Sequence, residues 1–182
     1  MPQEVKETLY KLNGEVNGNN VDGYTSVDDT SSLDASINSH KYNSNSFSHN
    51  NEGASVIDVN QENPGFWRSL YQNQYRGWGY TAFIKNNSNA NPILARATVD
   101  VRSLGINVNI STGGAGWSPF SSTVTIANDQ TNYSTREYAQ AHFNQVRLQN
   151  VTNIHFRFGV ESFLNFSNVG SSTIRTSVNY FA

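Results

Sequence analysis

Between Ile93 and Arg102 the chain alternates strictly: Ile93, Ala95, Ala97, Val99 and Val101 share one parity, and Leu94, Arg96, Thr98, Asp100 and Arg102 share the other. Successive side chains of an extended strand point to opposite faces, so this pattern predicts a half-buried strand with one polar side. The same period returns at Asn153 to Val160, with Ile154, Phe156, Phe158 and Val160 inward and His155 and Arg157 outward. It returns once more through Ile174, Thr176, Val178 and Tyr180. Leu104, Ile106, Val108 and Ile110 extend the first run, with Gly105 expected as a bulge or bend.

Weaker signals fill the intervals. Ala54 to Val59, Trp78 to Lys85, and the pair Val124 and Ile126 read as strands. Turns are expected at Asn63 to Gly65 (NPG), Asn86 to Pro92, Thr112 to Pro119 (TGGAGWSP) and Asn128 to Asn132. Glu4 to Leu12 has the spacing of two helical turns, Phe66 to Tyr75 fits a short helix or an irregular strand, and Glu137 to Leu148 fits neither period cleanly. Roughly seven to nine short strands, spaced by Gly/Asn/Ser turns, predict an all-β chain folded as an antiparallel β-sandwich of jelly-roll or immunoglobulin-like type. There is no internal repeat, P-loop or dinucleotide fingerprint.

Charge suggests a division of the 182 residues. Residues 1–62 hold ten acids against three lysines, a net of −7, whereas residues 63–182 hold eight arginines and one lysine against four acids, a net of +5. Residues 1–63 therefore read as an acidic, Asn/Ser-rich, largely flexible segment, and residues 64–182 as the sandwich domain. Charged residues are only 14% of the chain, and Asn, Ser and Thr take their place, a composition that fits a secreted or particle-surface protein. The first twelve residues contain no apolar run of signal-peptide type, and no stretch approaches the ~20 apolar residues of a helical membrane span.

Chemistry is sparse. Without cysteine there is no thiolate nucleophile and no Cys-based zinc site. His142 and His155 stand thirteen residues apart with no HxH or HExxH, and no GxSxG marks an activated serine. Glu137 and Glu161 are the one carboxylate pair that could flank a glycosidic bond, and the simpler reading of each is a surface acid beside an arginine. Gly18 to Asp29 resembles an EF-type calcium loop at Asn20, Asp22, Gly23, Ser26 and Asp29, but Gly18 replaces the first ligand and Asp29 the bidentate glutamate. The reading is accordingly non-enzymatic, with no metal and no cofactor.

The richest stretch is Phe66 to Phe83, FWRSLYQNQYRGWGYTAF, which has two arginines and no acid. Aromatic faces stack on sugar rings, and guanidinium groups take carboxylate or phosphate in two-point contacts. Trp67, Arg68, Tyr71, Tyr75, Arg76 and Trp78 are the candidate ligand-binding residues, with Trp117 in the glycine-rich loop as a second patch. If the alternating strands bury their aliphatic side, Arg96, Arg102, Arg157 and Arg175 project from the other. The partners such a surface suits are an anionic glycan, a cell-envelope polymer or a membrane surface. Two further readings are a membrane-active protein masked by its acidic segment, and a self-associating structural subunit of a virion, coat or matrix. Nucleic acid is disfavoured by the mildly acidic whole and the absence of lysine clusters. Five Asn-x-Ser/Thr sequons, at Asn86, Asn109, Asn132, Asn150 and Asn165, are expected by chance in so asparagine-rich a chain.

Overall fold

A computed structural model describes residues 27–28, 39–47, 53–62, 72–83, 91–103, 108–112, 118–120, 123–149, 155–167 and 170–181. Among them the regular structure is entirely strand: β1 (Val27–Asp28), β2 (Ser39–Ser46), β3 (Gly53–Glu62), β4 (Gln72–Phe83), β5 (Pro92–Ser103), β6 (Val108–Thr112), β7 (Ser118–Phe120), β8 (Thr123–Asn132), β9 (Tyr138–Gln149), β10 (His155–Phe166) and β11 (Gly170–Phe181). They form a seven-stranded sheet in the order β1-β2-β3-β4-β9-β6-β7 and a four-stranded sheet in the order β11-β10-β5-β8, every pairing antiparallel. The fold is a β-sandwich, as the alternation predicts.

The core lies where the two inner faces meet. Ala95, Ala97, Val99 and Val101 of β5 face it, as do Phe156, Phe158 and Val160 of β10, all fully or almost fully buried. Four rings form its centre. Phe158 lies 4.7 Å from Tyr75, 5.7 Å from Phe143 and 5.8 Å from Tyr180, and the Tyr180 hydroxyl donates to the Val59 carbonyl at 2.8 Å. Aromatic pairs at these separations add to plain area burial. Nearby, polar side chains satisfy one another: Ser162 and Thr176 hydroxyls each bond the Ser55 hydroxyl at 2.8 Å, and the Thr81 hydroxyl donates to the Arg96 carbonyl at 2.9 Å. Buried hydroxyls without such partners would each cost a desolvation penalty.

The open flanks of the sandwich are tied across. On one side the Asn43 amide of β2 donates to the Ser177 carbonyl of edge strand β11 at 3.0 Å. On the other, β9 pairs with β6 only through its last residues, from Val146 onward. The Gln140 N–H of β9 is instead taken by the Asp129 carboxylate of β8 at 2.9 Å, and Arg136 closes on the same carboxylate at 3.0 Å. Asp129→Ala should lower stability by about 1–2 kcal/mol, since one backbone donor and one guanidinium lose their acceptor together. A drop in the urea midpoint without a change in slope checks this.

Three expectations need correction, one of them the turn expected at Asn128 to Asn132, which is the second half of strand β8. The sandwich begins well before residue 64, because β2 and β3 lie inside the seven-stranded sheet and bury Phe47, Ala54, Ile57 and Val59. β2 reads as linker because its inward side, at Asn43 and Asn45, is polar and sits at the sheet's margin. The boundary expected between residues 63 and 64 therefore does not separate a tail from the fold, and the acidic segment includes integral strands. The alternation expected to continue from Ile93 to Ile110 with a bulge or bend at Gly105 is instead two strands, since β5 ends at Ser103 and β6, in the other sheet, starts at Val108. The expected helix at Glu4 to Leu12 lies outside the described residues, as does the EF-type loop, apart from Val27 and Asp28, which form β1.

Candidate ligand-binding surface

Strand β4 carries the part of the aromatic stretch that the structure describes, and its parity sorts the candidates. Tyr75, Gly77 and Gly79 point into the sandwich, while Arg76, Trp78 and Tyr80 point outward. Tyr75 is 0% exposed, held between Phe158 and Tyr180, so this candidate is a core residue and is withdrawn from the surface set. Trp67, Arg68, Tyr71 and Trp117 lie outside the described residues. Arg76, exposed, and Trp78, half-buried, remain side by side on the outer face of the seven-stranded sheet.

Their neighbours follow from the strand register. One row across the sheet runs Tyr42, Asp58, Trp78, His142, from β2 through β3 and β4 to β9. The row beside it, about 7 Å along the strands, runs His40, Asn60, Arg76. The Trp78 and His142 rings stack at 5.1 Å with planes 25° apart. A His40 ring N–H donates to Asp58 at 2.5 Å, since an ionised carboxylate can only accept. Beside Trp78 on the same face, Val56 and Tyr80 form a second small buried cluster, against which Trp78, Tyr42 and Tyr138 pack.

Arg76 has an unusual partner across the sheet. The β4–β9 register slips between Tyr75, opposite Val146, and Gly77, opposite Phe143, so Asn144 and Gln145 together oppose Arg76. Gln145 adopts a left-handed backbone with φ of 53°. A two-against-one bulge bends the strand and re-aims side chains, and a left-handed non-glycine residue stores backbone strain. Both Asn144 and Gln145 are exposed, and the register sets them across from Arg76, next to the Trp78–His142 pair along the strands. An aromatic shelf, a cation, amides and a His–Asp pair on one firm sheet can seat a saccharide ring and hold its acidic substituent.

The other outer face is that of the four-stranded sheet. Arg96, Arg102, Arg157 and Arg175 all stand on it, as the alternation predicts. Arg96 lies over the Phe163 ring at 4.6 Å. Glu161 occupies the middle of β10 on this same face, with Arg175 as its cross-strand neighbour, whereas Glu137 sits in the connection between β8 and β9. No group of three or more His, Asp or Glu suited to a metal ion occurs among the described residues. No protein-family model matches this chain, and no curated protein matches it.

The sequence reading misses His40 because it falls in a stretch read as flexible, and Asp58 because its strand, Ala54 to Val59, is assigned to the acidic segment and not to the sandwich. The available signal is the alternation of β3, where Val56, Asp58 and Asn60 share a parity opposite to Ile57 and Val59.

Proposed function

We propose that the chain is a non-enzymatic binding module of a secreted or particle-surface protein, and that it takes an anionic glycan or cell-envelope polymer on the outer face of its seven-stranded sheet. The observation that carries this reading is the placement of Arg76 next to Trp78, opposite the β9 bulge. Trp78 with His142 offers stacking area to a sugar ring, Arg76 a two-point contact to a carboxylate or ester sulfate, and Asn144 and Gln145 offer hydrogen bonds to hydroxyls. Contacts of this kind weaken with salt when they are solvent-exposed.

The test is binding of the full chain to a uronic-acid polymer and to its neutral counterpart at low and physiological salt. Arg76→Ala and Trp78→Ala should each weaken binding to the acidic polymer about tenfold, the equivalent of ~1.4 kcal/mol. Trp78→Ala should also weaken the neutral polymer, whereas Arg76→Ala should not. If a chain carrying both substitutions binds as tightly as the unaltered one, the reading is wrong.

A further inference from the structure

We infer that the opposite outer face carries a second, separate oxyanion site, centred on Arg102 and Arg157, so that one molecule can bridge two anionic chains. The two arginines are directly opposite each other in the β5–β10 register. Both are exposed, Arg102 to 45% at its side chain. Like charges directly opposite on neighbouring strands destabilise a sheet, and their side chains start only about 5 Å apart. A bound oxyanion removes that repulsion by accepting from both guanidinium groups.

The nearest acid is held elsewhere. Asp100, on the same strand as Arg102, is chelated by the Arg175 guanidinium, with Nη1 at 2.7 Å from one carboxylate oxygen and Nη2 on the other. Arg102 reaches it only through Nε at 3.7 Å. The chelation depends on Gly159, which stands opposite Asp100 and leaves room for the Arg175 guanidinium to cross the strand; a Cβ at Gly159 would lie 2.3 Å from its Nη2. Arg175 and Arg102 thus share the Asp100 carboxylate while Arg157 bonds Asn179, and with Glu161 opposite Arg175 the three cations and two acids of this patch leave a net charge of +1. Arg157 is also oriented, since its Nε donates to the Asn179 side-chain oxygen at 3.1 Å. The polymer's identity rests on the function proposed above, but the second site stands on these arginines alone.

Two measurements on the full chain test it. In a titration with inorganic sulfate followed by the NMR signals of arginine side-chain N–H groups, Arg102 and Arg157 should shift together and saturate, while Arg96 should not. Linear shifts spread over every exposed arginine would mean an adventitious ion only, and would overturn the site. Latex beads coated with dextran sulfate should be aggregated by the unaltered chain. R102Q/R157Q, a change confined to exposed side chains, should still bind the beads and aggregate them about tenfold more slowly or not at all. Aggregation at the unaltered rate by R102Q/R157Q overturns bridging. Separately, an Arg76→Ala/Trp78→Ala chain that saturates with sulfate at Arg102 and Arg157 but has lost the uronic-acid polymer would show the two faces to be independent. If that chain keeps the uronic-acid polymer, the function proposed above fails while the second site survives.

Discussion

Phe158→Ala should destabilise the sandwich by about 3–5 kcal/mol, the range for truncating a large buried ring. The residue is fully buried, and three other rings, Tyr75, Phe143 and Tyr180, close on it from both sheets. Removing the ring takes away its transfer free energy and leaves a cavity whose walls cannot collapse. Tyr180 is anchored by its hydroxyl to Val59, and Tyr75 and Phe143 are held by pairing to Val146 and Gly77 on either side of the β9 bulge. Domains of this size have a total stability of about 5–15 kcal/mol, so the substitution removes roughly a fifth or more of it. Urea denaturation followed by tryptophan fluorescence reads the loss. Phe158→Leu, which fills more of the space, should recover more than half of it. Equal losses for the two variants would mean that ring contacts, rather than volume, dominate the centre.

Gly77→Ala is expected to act on both the fold and the proposed site. A Cβ placed at Gly77 would lie 2.0 Å from the Asp58 carbonyl oxygen and 3.0 Å from the Val59 Cα, both main-chain atoms of β3, and 3.0 Å from the tip of Phe143. Backbone cannot swing aside as a side chain can, so β3 and β4 must part locally. The cost should be about 2–3 kcal/mol, at the upper end of overpacking penalties. The separation occurs between Asp58 and Trp78, within the row that carries the candidate surface. Polymer binding should therefore fall along with stability, whereas Gly79→Ala, whose clashes are with the Val99 and Val160 side chains of the other sheet, should lose stability with less effect on binding. A Gly77→Ala chain with an unaltered urea midpoint would show that the two strands yield more easily than their packing suggests.

How far the sequence speaks depends on strand parity. In β5 and β10 one side is aliphatic or aromatic but for Ser162, so both the strands and the outward set Arg96, Arg102 and Arg157 are legible directly. In β9 they are not. Ala139, Ala141 and Phe143 are buried on one parity, and then Val146 and Leu148 are buried on the other, because the bulge at Asn144 and Gln145 inserts an extra residue. A period-two test fails across such a slip even though each half obeys it. In β4 the error is different. Gly77 and Gly79 occupy the inward positions, so the parity of the core is unmarked, and Tyr75 reads as one more member of an aromatic cluster. The glycines themselves carried the information, since small residues on alternate positions are what a strand needs where Val99 and Val160 press against it.

The two sheets set a distance as well as a core. Facing sheets pack about 10 Å apart, and side chains on both outer faces bring the span from one ligand surface to the other to roughly 20 Å. At physiological ionic strength the Debye length is about 8 Å. Two polyanions held on opposite sides of this sandwich would stand more than two screening lengths apart and would scarcely sense each other's charge. A thinner spacer, a single sheet or a helix, would hold them where their repulsion opposes the bridge. The thickness of the fold would then be an electrostatic insulator, and salt would govern how tightly each chain is gripped far more than whether two can be gripped at once.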